Sequence, residues 1–202
     1  MCAKWLMSKR PGVAVTNLST SRMLDDIAAQ HGGRVIRTPV GEANVVDAML
    51  KADGGKGAVV GGEGNGGVID LRIVPGRDSL VGMAYVLQLM ANTGKSISQL
   101  VAEIPRYEIV KTKFECRRED ADRAVAAVKQ AFAGEPTDAT ADAMNGAKID
   151  TQDGIRIDWP DAWVHARPSN TEPIMRIIAE APTKAAAEAR IASVQDIVKR
   201  VL

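Results

Sequence analysis

Aromatic residues are scarce, at 3% of 202 residues. So few rings exclude the stacking platforms that single-stranded nucleic acids use. Cysteine is nearly absent too. Cys2 and Cys116 can form neither a disulfide framework nor a cysteine metal cluster, and both read as reduced thiols. Neither sign of charge dominates. Lys and Arg number 26 against 25 Asp and Glu, for a net charge of +1. That balance gives no pull toward nucleic acid or an anionic membrane surface. No apolar run is long enough to span a bilayer. Residues 1–10 lack the layout of a signal peptide. The expectation is a cytoplasmic protein with no nucleic-acid partner and no membrane association.

What is present is ordinary globular material, 46% hydrophobic and 25% charged, long enough for one or two domains. Residues 13–15 form a short apolar run after Pro11-Gly12, as a buried strand would. Ser19, Thr20 and Ser21 offer N-caps for a helix carrying Met23, Leu24, Ile27 and Ala28, which Gly32-Gly33 stops. Val35-Ile36 reads as a strand, Val45, Val46 and Met49 as a helix, and residues 58–60 and 68–69 as further strands. Alternating strands and helices predict an α/β layer with parallel pairing. Asp78 or Ser79 caps a helix with Leu80, Met83, Ala84, Leu87 and Met90 on one face, with its methionines as core filler. Ser96 and Gln99 fit a capping box for the next helix, with Ile97, Leu100, Val101 and Ile104, and Pro105 ends it.

A domain boundary is expected here, giving residues 1–105 and 106–202. Beyond it, residues 108–116 are strand-like. Ala121, Val125, Val128 and Phe132 form one helical stripe, and residues 134–145 read as a polar loop. Asp153-Gly154 is a hairpin turn between residues 147–151 and an alternating run over 155–159. Residues 162–167 and 174–180 complete the strands. Thr183 caps a last helix that buries Ala187, Ile191, Val194, Val198 and Val201. The second half is thus an α+β module, an antiparallel sheet of about four strands with two helices on one face.

Two loops carry chemistry. Residues 61–67, Gly-Gly-Glu-Gly-Asn-Gly-Gly, hold five glycines and one charge, Glu63. A carboxylate there can accept from two neighbouring sugar hydroxyls but would repel a phosphate. The spacing fits neither a P-loop nor a dinucleotide fingerprint. A flexible hairpin with a solvated Glu63 fits the same residues. Residues 167–173, Arg-Pro-Ser-Asn-Thr-Glu-Pro, combine a cation, two hydroxyls and an amide in a loop stiffened by two prolines. Such a segment can grip an oxyanion, or it can be a plain polar turn.

The order and spacing of these loops resemble the α-D-phosphohexomutases: phosphoglucomutase, phosphomannomutase and phosphoglucosamine mutase. Gly76-Arg77-Asp78 and Asp153-Gly154-Ile155-Arg156 fit the same pattern. The resemblance covers nearly the whole chain and matches the third and fourth of the family's four domains, with Met1 inside what would be the third domain's first helix. It implies a mixed α/β sugar-binding domain followed by the C-terminal phosphate-binding domain. By that pattern Glu63 and Asn65 would hold sugar hydroxyls. Arg167, Ser169, Asn170 and Thr171 would hold the phosphate that is not being transferred. The family's phosphoserine motif, of Thr-Ala-Ser-His-Asn-Pro type, does not occur, nor does its magnesium motif of Asp-Gly-Asp-x-Asp-Arg type. Glu42 follows Gly41 where many members carry His.

The resemblance therefore implies no catalytic residue, metal ligand or cofactor in this chain, although magnesium is expected for the complete enzyme. The expected function is the sugar-phosphate-binding part of an intramolecular phosphotransferase acting on hexose phosphates, inactive alone. The alternatives are a stand-alone non-catalytic binding module and one half of a split enzyme whose partner chain carries the missing domains. Asp25-Asp26 and Asp120/Asp122 read as helix-surface charge. His165 reads as structural or as lining the cleft. His31 reads as a helix C-terminal residue. Trp5 reads as preceding the fold, and Trp159 and Trp163 as core and rim.

Overall fold

Strand β1 (Val13–Asn17) is buried along its whole length, because helices cover both faces of the sheet it centres. The computed structural model describes residues 1–133, 146–169 and 171–202. Val13 and Val15 point to one side, onto Val45 and Met49 of α3 (Glu42–Lys51). Ala14 points to the other, toward Ala28 of α2 (Met23–Gln30) and Leu6 and Met7 of α1 (Cys2–Lys9). β2 (Arg34–Thr38) and β3 (Val60–Gly62) pair with β1 in parallel. β4 (Val68–Ile69) pairs with β3 antiparallel, giving the order β2-β1-β3-β4. Trp5 does not precede the fold, as it packs on the cluster built by α1 and β1.

Asp78 caps α4 (Ser79–Thr93) by accepting from the N–H groups of Leu80 and Val81, and Gly94 ends it in the left-handed region. The capping box of Ser96 and Gln99 opens α5 (Ile97–Ala102). The apolar stripe expected to be core on α4 is largely exposed. Leu80 is 72% exposed, Met83 54% and Leu87 64%, while the buried residue is Leu89. Ile97 and Val101 of α5 are exposed as well. A helical pattern shows that one face is apolar, not that anything covers it.

The chain divides into two units, Met1–Arg106 and Tyr107–Leu202. The second contains β5 (Glu108–Glu115), β6 (Lys148–Asp150), β7 (Ile155–Asp158), β8 (Trp163–Pro168) and β9 (Ile174–Ala181). They form one antiparallel sheet of five strands in the order β5-β9-β8-β7-β6, not four. The difference is β6, a three-residue edge strand held by the Asp153-Gly154 hairpin. α6 (Arg118–Ala133) and α7 (Lys184–Lys199) cover one face. Ala121, Ala124, Val128 and Phe132 meet Ala187, Ile191, Val194 and Val198 over Ile155, Ile157, Val164, Met175 and Ile177. The expected loop over 134–145 lies outside the described residues.

The opposite face of this sheet carries polar groups that are nonetheless buried: Arg156, His165 and Glu180, beside Trp163. The Arg156 guanidinium pairs with Asp158 at 2.6 Å and lies 4.2 Å from the Trp163 ring centre. Trp163 Nε1 donates to Glu180 at 2.9 Å. Trp159 and Trp163 are both fully part of the interior, so neither is a rim residue.

Candidate functional site

The first unit gathers its polar groups where the parallel strands end. β1 leads through α2 to β2 on one side, and β2 leads through α3 to β3 on the other. The strand order therefore reverses between β1 and β3, and a crevice opens at their C-terminal ends. Asn17 ends β1 and Glu63 follows β3. Asn17 Nδ2 donates to Glu63 Oε1 at 2.9 Å, and the Gly41 N–H donates to the same oxygen at 3.3 Å. Oε2 of Glu63 faces the Arg77 guanidinium at 3.5 Å. Arg77 also binds Glu42, so the residue after Gly41 serves this network. Gly67 leaves room for the Arg77 chain, since a Cβ there would lie 2.3 Å from Arg77 Cδ. Glu63 is thus held inward with its side chain 8% exposed, not solvated on a loose hairpin.

Asn65 is exposed at the loop tip, its Oδ1 accepting from the Gly67 N–H at 3.1 Å. The loop opens into a cavity of about 820 Å³. Glu63, Thr16 and Ser21 lie on its wall together with the apolar Leu24, Met83 and Leu87.

In the second unit Arg167 stands at the end of β8, with only 14% of its side chain exposed. Its Nη1 lies 3.9 Å from the Asp153 carboxylate. Its Nε is buried and has no acceptor among the described residues. Ser169 and Thr171 lie beyond β8, the Thr171 N–H reaching Ser169 Oγ at 3.5 Å. Asn170, also expected to bind, lies outside the described residues. Ser169 and Thr171 line a cavity of about 320 Å³ with Arg118 and Asp122, and Arg167 does not border it.

Sequence reading passed over Arg176. Arg167 and Arg176 are direct cross-strand partners on β8 and β9, on the face away from the helices. Like charges directly opposite one another are unfavourable in a sheet. Glu172 relieves this pair by accepting from Arg176 at 2.7 Å. The signal was available as strand alternation, but only once the register across the 167–173 loop is known.

His165 Nε2 donates to the Asp153 carbonyl at 2.7 Å and the ring is buried, which makes it a strut for the hairpin and not a cleft residue. Burial pushes its pKa down to about 4. An unfolded imidazole binds its proton near pH 6.5, so the unfolded state takes up the proton first as pH falls. Stability should therefore drop between pH 7.5 and 5. Urea midpoints at these two pH values check this, and a flat profile would contradict it.

One member of each acidic pair is held in ion pairs. Asp25 pairs with Arg37, and Asp120 with Arg117 and Arg123. Among the described residues no group of three or more His, Cys, Asp or Glu is placed to hold a metal ion. No helix of the described residues is long and apolar enough to cross a membrane.

The sequence matches the family described as phosphoglucomutase/phosphomannomutase, alpha/beta/alpha domain III, over residues 1–107, and its C-terminal domain over residues 112–197. The chain belongs to the phosphoglucomutase/phosphomannomutase family. A relative from Thermococcus kodakarensis named phosphoglucomutase/phosphomannomutase is 41% identical over 173 residues, which is 86% of this chain and 35% of the relative. A probable phosphoglucosamine mutase from Methanopyrus kandleri is 34% identical over 202 residues, 99% of this chain and 41% of the relative. The chain thus spans 35% and 41% of these two relatives' lengths.

Solved structures agree on the fold. A phosphoglucomutase/phosphomannomutase family protein from Burkholderia thailandensis superposes with a TM-score of 0.73 at 24% identity, covering 99% of this chain and 39% of that one. An N-acetylphosphoglucosamine mutase from Aspergillus fumigatus, solved with GlcNAc-6P and magnesium, gives 0.64 at 13% identity, covering 99% and 43%.

Proposed function

We propose that this chain is the substrate-holding C-terminal part of a cytoplasmic phosphohexomutase, binding a hexose phosphate without transferring its phosphoryl group. The observation that carries this reading is Arg167: a mostly buried guanidinium whose Nε has no acceptor among the described residues, directly across from Arg176. Two facing cations are relieved by an anion shared between them, and a phosphate offers oxygens for both. Ser169, Asn170 and Thr171 would supply the remaining donors. In the first unit Glu63 would accept from paired sugar hydroxyls, and Asn65 would add a neutral contact. Asn17 and the Gly41 N–H hold Glu63 Oε1, which orients its carboxylate before any ligand arrives.

These residues supply positioning only. Positioning, metal and charge neutralisation together drive phosphoryl transfer, so the chain alone should turn over no glucose 1-phosphate even with Mg²⁺. Measured turnover by the purified chain would overturn that part of the reading.

Calorimetric titration with glucose 1-phosphate, mannose 1-phosphate and glucosamine 1-phosphate tests the binding. At least one should bind saturably, and silence from all three would refute the proposal. Glu63→Gln should weaken the sugar phosphates about tenfold, the loss of a charge-assisted hydrogen bond, and leave inorganic phosphate unaffected. Unchanged affinity for the sugar phosphates would take Glu63 out of the sugar site.

One observation favours a second reading, half of a two-chain enzyme. Leu80, Met83, Leu87, Ile97 and Val101 present an apolar face on α4 and α5. Such a face marks a partner surface more often than a free one. The partner would be a polypeptide carrying the family's upstream domains. Mixing the chain with that part of the Thermococcus kodakarensis relative should then restore turnover, and Leu87→Asp should prevent it.

A further inference from the structure

The outer face of the second unit's sheet continues the Arg167–Arg176 pair onto the edge strand. Arg176 on β9 faces Arg167 on one side and Lys113 of β5 on the other, in direct register with both. Directly paired residues of an antiparallel sheet point to the same face. Met175 and Ile177, the neighbours of Arg176, face the helices, which places all three cations on the opposite face. Arg167, Arg176 and Lys113 therefore form one row across three strands, about 10 Å from first to last at ordinary strand spacing. Lys111 stands two residues behind Lys113 on the same face and is exposed, as is Lys113.

The acids near this row are Asp153 beside Arg167, Glu172 on Arg176 and Glu115 two residues beyond Lys113. Among the described residues neither Lys111 nor Lys113 has an ion pair within 4.0 Å. Charges on an edge strand also deter strand addition. That role would be met by any charge on β5 and does not require cations in register with Arg176.

We propose that Lys113, backed by Lys111, extends the phosphate site across β9 and draws the dianionic ligand toward Arg167 and Arg176. The inference rests on the phosphate-binding reading of Arg167. Lys113 would touch the ligand weakly or through water. Its effect would be long-range, strong at low salt and screened at high salt.

Lys148 supplies the control. It lies on the other edge strand, directly across from Asp158 and on the same face, far from the row. Lys113→Gln and Lys148→Gln change net charge equally. Glucose 1-phosphate affinity is measured calorimetrically for both, for Arg167→Gln and for the unaltered chain, at about 20 mM and about 300 mM salt. At low salt Lys113→Gln should weaken binding about fivefold, and at high salt less than about twofold. Lys148→Gln should match the unaltered chain at both. If Arg167→Gln weakens binding while Lys113→Gln behaves like Lys148→Gln, the extension is wrong and the phosphate site stands. If Arg167→Gln changes nothing, the phosphate site and its extension fall together.

Discussion

Arg167→Ala should weaken binding of glucose 1-phosphate by about thirtyfold or more, on the order of 2 kcal/mol, with little change in fold stability. The two halves of this expectation have one cause. In the free chain the guanidinium is mostly buried, its Nε makes no hydrogen bond among the described residues, and Asp153 stands at 3.9 Å, beyond direct hydrogen-bond reach. Such a group contributes little to the fold and is poised for an anion. A residue serving only as a turn would behave in the opposite way, with lower stability and unchanged affinity. Arg167→Lys should recover part of the affinity at most, because a point charge cannot reproduce the planar fork. Calorimetry paired with urea unfolding reads both quantities. Unchanged affinity with lowered stability would make residues 167–173 a structural loop.

The layers of the first unit could be read from short apolar runs because β1 is covered on both faces, where periodicity and burial agree. On α4 they part company. Leu80, Met83 and Leu87 keep helical spacing yet lie exposed, since spacing reports an apolar face and not its cover. The strand count fell short because residues 147–151, read as one arm of the hairpin, were not counted as a strand, and only Lys148–Asp150 of them pair.

Site chemistry divides in the same way. Local sequence could place Glu63 after a strand and Arg167 at a strand end. It could not show that Asn17 and Gly41 hold the Glu63 carboxylate, nor that Arg176 and Lys113 share a row with Arg167. Those relations come from parallel crossovers and cross-strand register, which join residues separated by 46 positions in the case of Asn17 and Glu63. His165 shows the converse. A histidine two residues from a candidate ligand invites a functional role, yet its hydrogen bond to the Asp153 carbonyl and its burial give it a structural one.

The Asp153-Gly154 hairpin sits directly against the residue on which the proposed site depends, so Gly154→Val should be the most damaging single substitution considered. Gly154 has φ +68°, a region β-branched side chains avoid. A Cβ at this position would lie 2.3 Å from the Ala166 carbonyl oxygen and 2.7 Å from both Cα and Cβ of Arg167. These are backbone or near-backbone atoms of a central strand, so no flexible side chain can yield. Either the hairpin lifts, breaking the His165 contact and the β6–β7 pairing, or β8 shifts and carries Arg167 with it. Backbone strain and displacement together should cost about 3 kcal/mol or more. Gly154→Ala should show the same direction at smaller size. Urea unfolding measures the loss. A Gly154→Val chain as stable as the original would mean that the hairpin does not rest on β8. If Gly154→Ala remains folded but binds glucose 1-phosphate less well, the turn sets the position of Arg167 as well as the stability of the sheet.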